Sequence, residues 1–282
     1  MLWVRTKGVN LVSSLACFWQ TLLMLTVISP AKTLDFESKP QTRKLSQPQF
    51  LERSAELIET MRKQSPKNLS KLMGISPKLA ELNVDRYQNW LRPFTLENAK
   101  QAILAFKGDV YIGLAAEEYG ERDFTFAQKN LRILSGLYGI LKPLDLIQPY
   151  RLEMGTKIKN PGGSDLYEYW NTTITQTISD ELDLHRNKSL INLASVEYFK
   201  AIKPNLLPGN LITPIFKDYK NGTYKILSFF AKKARGSMAS FIIQNRIAKP
   251  EDIKGFDVDG YRFNADLSSE FDWVFTRKAQ SD

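Results

Sequence analysis

Met24-Leu25-Thr26-Val27-Ile28-Ser29-Pro30 is the stretch that places the fold. An apolar, β-branched run suited to a buried strand passes straight into Ser-Pro, a turn signal. A fold that begins on this strand leaves residues 1–23 ahead of it. Those read MLWVRTKGVNLVSSLACFWQTLL: two basic residues, no acid, and an apolar run from Leu11 to Leu23 broken by Ser13, Ser14 and Gln20. A secretory signal has such a positive start and short apolar stretch. A lipoprotein-type site at Cys17 would want an aliphatic residue where Ser14 stands. A translation start placed ahead of the fold is the preferred reading, because a cleaved signal leaves a polar, loosely ordered start and not a core strand. The run is too short and too interrupted to span a membrane. Residues 1–23 are therefore expected to be an extension, and residues 24–282 one domain.

Composition narrows the chemistry. The chain has 282 residues and 43% hydrophobic residues, enough for a substantial core, so disorder is excluded as the main state. It has one Cys, Cys17, and one His, His185, which excludes a disulfide scaffold and argues against a structural zinc site or an iron–sulfur cluster. His185 sits in the polar run Asp183-Leu184-His185-Arg186-Asn187, a solvated-loop pattern and a poor setting for a catalytic triad. Chemistry is left to carboxylates, lysines, arginines, hydroxyls and backbone. Lys and Arg outnumber Asp and Glu by 39 to 30, a formal charge of +9 that drops to +7 without Arg5 and Lys7, and the excess points to a polyanionic partner. No cofactor, metal, membrane or obligate protein partner is indicated.

Along the body, Gln49–Lys63 has helical apolar spacing at Phe50, Leu57, Ile58 and Met61. Ser65-Pro66 and Ser76-Pro77 each read as a cap followed by a first-turn proline, opening second and third helices. Thr95 reads as the cap of a fourth. Val110-Tyr111-Ile112 reads as a short strand, Phe124–Leu134 as a helix, and Asp165–Ile178 as one helix. Ser189–Leu193 reads as a strand, with Ser195 capping a short helix after it. Leu211–Tyr219, Asn221-Gly222 and Thr223–Phe230 read as a hairpin, since Asn-Gly suits a type I′ turn. Ala239–Ile247 reads as a helix and Asp272–Thr276 as a late strand. The expected class is α+β, a single mixed-sheet domain with a helical subdomain at about residues 49–105 inserted after the first strand. No G-x-G-x-x-G or Walker motif follows a strand.

Several segments carry candidate chemistry. Leu69-Ser-Lys-Leu72-Met-Gly74-Ile75-Ser76-Pro77-Lys78-Leu-Ala80 resembles a helix-hairpin-helix, a DNA-binding hairpin that reads little sequence. Gly74 permits the turn. Ser76 stands where that motif prefers a second glycine, Ile75 matches the motif's Ile, and Lys78 adds charge beside N–H groups that can meet a phosphate. An ordinary helical turn with a Ser-Pro cap explains the same residues. Phe229-Phe230-Ala-Lys232-Lys233-Ala-Arg235-Gly236-Ser237 reads as the exit of a buried strand before a helix, hence an anion site, or else a solvated basic loop. Lys107-Gly108-Asp109 forms a third cluster. In Lys142–Gly155, Lys142, Arg151 and Glu153 read either as a cleft wall or as a structural ion pair holding a long loop. Lys32, just after strand one, suits a phosphate, a carbonyl or plain surface equally.

Beyond these, Ser29-Pro-Ala-Lys-Thr-Leu34, Ala105-Phe-Lys-Gly-Asp-Val-Tyr111, Leu134-Ser-Gly-Leu-Tyr-Gly139, Pro143-Leu-Asp-Leu146, Gln148-Pro-Tyr-Arg-Leu-Glu-Met-Gly155, Ile191-Asn-Leu-Ala-Ser195, Glu197-Tyr-Phe-Lys200 and Ala231-Lys-Lys-Ala-Arg-Gly236 occur in this order. Together they resemble the YaaA family of bacterial peroxide-stress proteins, from Met24 to about Lys278. The resemblance implies a cytoplasmic protein that limits oxidative damage under hydrogen peroxide by keeping free iron low. It also implies a fold of unusual topology, a basic cleft, a helix-hairpin-helix and binding to duplex or distorted DNA. It carries over no catalytic residue. The expected DNA contacts are Gly74, Ile75, Ser76, Lys78, Lys32, Lys107, Lys142, Arg151, Lys232, Lys233 and Arg235. The alternative is an enzyme acting on nucleic acid or on a phosphorylated small molecule, with Lys32, Asp109 and Glu153 as its candidates.

Overall fold

The computed structural model describes residues 24–185 and 187–278. Residues 1–23, with Cys17 and the proposed early start, lie outside it. In chain order the elements are β1 (Leu25–Ile28), β2 (Thr33–Leu34), α1 (Leu51–Arg62), α2 (Pro66–Met73), α3 (Pro77–Asn89), β3 (Lys100–Gln101), α4 (Ala102–Ala105), β4 (Phe106–Lys107), α5 (Asp109–Leu114) and α6 (Glu121–Asn130). They continue with β5 (Leu131–Ser135), β6 (Gly139–Leu141), β7 (Leu146–Ile147), α7 (Leu166–Trp170), α8 (Thr173–Asp183), β8 (Ser189–Leu193) and α9 (Val196–Phe199). The chain closes with β9 (Asn210–Lys220), β10 (Thr223–Lys225), α10 (Ser228–Gln244), β11 (Arg262–Phe263) and β12 (Asp272–Arg277).

The architecture is α+β around a mixed sheet ordered β11-β12-β9-β8-β1-β5-β6, with β10 pairing β9. β1 runs parallel to both β5 and β8, and β8, β9 and β12 are mutually parallel neighbours. β6, β10 and β11 are antiparallel to their partners. Every residue of β1, β5 and β8 is buried, as parallel strands covered on both faces require. The opening strand is thus the middle of the sheet. α10 packs across β9, β8 and β1, and α5 packs on α10.

Two glycines make that last contact close. A Cβ at Gly236 would stand 1.7 Å from the Val110 carbonyl oxygen, and one at Gly113 would stand 2.0 Å from the Lys233 carbonyl oxygen. The two backbones touch, so both positions have no room for a side chain.

α1, α2, α3, β8 and β12 follow the sequence reading. Other segments depart from it. The β9–β10 hairpin has its Asn221-Gly222 turn, but β10 ends at Lys225, and Ser228 begins a helix. The reason lies in the spacing: Ala231, Ala234 and Met238 recur every three to four residues and bury one helical face, whereas Phe229 is 58% exposed. Gly236 and Ser237 therefore sit inside α10 and not at its start. Val110-Tyr111-Ile112 is helical within α5, where Tyr111 and Leu114 point inward together. The Phe124–Leu134 reading joins α6 to strand β5, and the helix after Asp165 breaks at Asn171, whose φ is 42°. The segment after Thr95 forms a turn, then β3 and the four-residue α4. Ser195 precedes α9, but its side chain is bonded to Ser29 and caps nothing.

Candidate functional site: a cleft at the strand ends

Parallel neighbours release their chains at the same end of a sheet, and ligands of open sheets bind outside the carboxyl ends of such strands. Here β1 ends into Ser29 and β8 into Ala194-Ser195. The two exits are tied together: the Ser195 N–H donates to Ser29 Oγ at 2.8 Å, and the two hydroxyls are 3.2 Å apart. Tyr111 of α5 donates its hydroxyl to the Ser29 carbonyl at 3.2 Å. Above this floor lies a cleft of about 580 Å³, lined among others by Lys32, Lys107, Asp109, Glu197, Tyr198, Lys232 and Arg235.

The ionic contacts sort these residues. Lys32 Nζ lies 2.6 Å from Glu153 Oε2, and Arg151 Nη2 lies 3.1 Å from Glu153 Oε1, so one carboxylate holds two cations. Glu197 accepts the Gly155 N–H at 3.0 Å, fixing a second carboxylate at the rim. Lys107 is 3.8 Å from Asp35, whose carboxyl is held well below the usual range by hydrogen bonds from Ser38 and by Lys100. Lys233 is paired with Asp259 at 3.1 Å and lies outside the cleft. Among the described residues, Lys232, Arg235 and Asp109 make no ion pair or side-chain hydrogen bond. Burial, with no charged neighbour to offset it, lowers the Arg235 guanidinium from its ordinary value. The cleft thus has two free cations three residues apart on one helix, and a free carboxylate on the helix packed against it.

Of the expected contacts, the structure gathers Lys32, Lys107, Lys232 and Arg235 in one place. Arg151 and Glu153 stand behind Lys32 as an ion pair. Gly74, Ile75, Ser76 and Lys78 are elsewhere, at the turn between α2 and α3. Gly74 takes the left-handed conformation, φ 62° and ψ 41°, and Ser76 caps α3 by accepting the Leu79 N–H at 3.3 Å. Ser70 locks the turn by donating its hydroxyl to the Ile75 carbonyl at 2.6 Å and accepting the Ile75 N–H on its own carbonyl at 3.1 Å. Gly74, Ser76, Pro77 and Lys78 are exposed. The far end of α3, not the turn, is tied toward the cleft: Tyr87 donates its hydroxyl to the Arg151 carbonyl, and Arg151 shares Glu153 with Lys32.

Lys142 is not part of the cleft. It borders a second cavity of about 240 Å³ with Arg132, Asp145 and Glu181. There Asp145 is fully buried, accepting from Ser46 Oγ at 2.6 Å and from the Lys142 N–H at 2.7 Å. Desolvation pushes its carboxyl up to about 6. The folded state therefore holds this proton more tightly than the unfolded chain, and stability is lost as pH rises from about 4 through 6. Urea midpoints should fall across that window in the wild-type protein and fall less in Asp145→Asn. Equal slopes in the two proteins would contradict the assignment. His185, half-buried after α8, also lies away from the cleft.

Ser29, Ser195, Glu197 and Tyr198 were not foreseen as site residues. A signal for the two serines is present: each follows a short, mainly apolar strand, and two such strands in one sheet tend to be neighbours. Among the described residues, no group of three or more His, Cys, Asp and Glu is placed to hold a metal ion. Nor is any helix among them long and apolar enough to cross a membrane.

A comparison with protein families matches residues 24–267 to the one described as peroxide stress protein YaaA. The match starts on the residue before β1 and spans the turn, the cleft and the sheet except for its strand β12. The chain belongs to the YaaA family of peroxide stress proteins.

Proposed function

We propose that this protein binds DNA through phosphate contacts, with little base reading, and so protects it during peroxide stress in the cytoplasm. The observation that carries this is the α2–α3 turn. An exposed left-handed Gly74, a capped helix start and Lys78 are what a helix-hairpin-helix would present to a phosphate at the start of its second helix. Lys78 would meet a duplex backbone there, on a turn shaped by Gly74, Ile75 and Ser76. Lys107, Lys232 and Arg235 would hold phosphate at the cleft, with Lys32 and Arg151 behind them. Lys142 and Lys233 sit apart, so their share is a general basic field. Any effect on free iron is indirect, through what the protein protects, since the body has no Cys and one His. Lys78→Glu should weaken duplex binding about equally on unrelated sequences, measured by fluorescence anisotropy. Unchanged affinity would contradict the placement.

One observation favours a second reading, an enzyme acting on nucleic acid or on a phosphorylated small molecule: Lys32 and Asp109 both line the cleft, with Glu153 paired to Lys32 behind it. Were Glu153 to take its proton, the Lys32 amine could add to an aldehyde at an abasic sugar and lose water to form an imine. Borohydride should then trap the protein on abasic DNA, and Lys32→Gln should abolish trapping. Tight binding without trapping favours the first reading.

A further inference from the structure

We propose that the cleft holds a phosphate monoester, carried on the end of a DNA strand or on a free mononucleotide, with the phosphate on Lys232 and Arg235 and a sugar hydroxyl on Asp109. The inference deepens the DNA-binding reading and rests on it for the strand-end form.

Size is the first argument. A cleft of about 580 Å³ lies within the ~300–1,000 Å³ typical of small-ligand sites. A duplex, whose major groove alone is about 12 Å wide, does not fit inside it. A diester in mid-strand must also leave in two directions, and it carries only one charge for the two free cations of α10. What enters is a terminus or a single nucleotide.

Charge is the second argument. Lys232 and Arg235 lie three residues apart on α10 and share a face. Neither has a partner among the described residues, although every other basic residue named in the cleft has a carboxylate within 4.0 Å. A monoester carries about −1.5 to −2 charges near neutral pH, which two cations match, and guanidinium binds phosphate in a two-point geometry. Carboxylates border the same cleft. Glu153 and Glu197 are already engaged, but Asp109 is free and would repel a phosphate while accepting from a hydroxyl. The substrate is therefore oriented, phosphate to α10 and sugar to α5. The backbone contact at Gly113 and Gly236 keeps those two walls at fixed separation.

The test measures anisotropy of labelled ten-nucleotide single strands bearing a 5′-phosphate, a 3′-phosphate or only hydroxyl ends, with deoxyadenosine 5′-monophosphate and inorganic phosphate as competitors. One phosphorylated end should bind about tenfold tighter than the hydroxyl strand, the gain of one good charge-assisted contact. The preferred end identifies its source, and competition by the mononucleotide alone identifies a free nucleotide. Arg235→Gln and Lys232→Gln should each reduce the ratio of phosphorylated to hydroxyl affinity toward one. Lys78→Glu should lower all strands alike and leave that ratio intact. A wild-type protein that binds duplex yet shows equal affinity for all ends, with both competitors inert, overturns the inference and spares the DNA-binding reading. A protein that binds no duplex but is thermally stabilised by the monophosphate overturns that reading and keeps the cleft assignment.

Discussion

Gly236→Ala should destabilise the protein by about 3 kcal/mol, at the upper end of what overpacking costs. The added methyl would meet the Val110 carbonyl oxygen at 1.7 Å, and a backbone atom cannot turn aside as a side-chain tip can. Relief requires α10 and α5 to separate. Gly113→Ala strains the same contact from the other side, at 2.0 Å from the Lys233 carbonyl. Gly255→Ala is the control, because nothing lies within 4 Å of its added carbon. Urea unfolding measures all three. A Gly236→Ala midpoint equal to that of wild type would mean the helices are farther apart than described. Separation also widens the cleft, since Lys232 and Arg235 precede Gly236 while Asp109 precedes Val110. The surviving folded fraction should bind nucleic acid more weakly.

Lys232→Glu combined with Arg235→Glu should cost on the order of 1,000-fold in DNA affinity at low salt. Two cations become two anions, a change of four charges at about 1 kcal/mol each in a water-like dielectric. The prediction isolates binding from folding better than most, because neither side chain has an ion pair to break among the described residues. Lys233, one residue away, is tied to Asp259 at 3.1 Å and serves as a contrast. Its reversal should lower stability more than it lowers binding. The loss should appear on all duplex sequences alike. A double variant that folds and binds as wild type would remove the cleft from the account.

The parts of this fold that were legible in the sequence are those where local chemistry and tertiary packing agree. Ser65-Pro66 and Ser76-Pro77 announce helix starts because cap and first-turn proline are local devices. β1 is legible because a run buried on both faces needs no alternation. The segment from Thr223 to Ser237 misled because Tyr224, Ile226 and Phe229 look like a strand's bulky residues, yet Ala231, Ala234 and Met238 set the period. Small residues decided that element, and small residues weigh little in a hydrophobic count.

The candidate site was partly legible for a related reason. Charged segments such as Lys232–Arg235 stand out in a sequence. What brings them to Lys32 and Lys107 is the pairing of β1 with β8, across 160 or so residues, and the glycine contact of α5 with α10. Neither leaves a mark at the charged residues themselves. Which cations are free is likewise decided by distant carboxylates: Glu153 for Lys32, Asp35 for Lys107, Asp259 for Lys233.

The salt dependence of duplex affinity tests the central claim most directly. Phosphate contacts release counterions, so log affinity should fall linearly with log salt, by about 0.9 per phosphate neutralised. The wild-type protein should show a steep slope. Lys78→Glu should reduce it by about one contact and the Lys232→Glu, Arg235→Glu pair by about two. A shallow wild-type slope, or variant slopes equal to it, would contradict binding through the hairpin and the cleft.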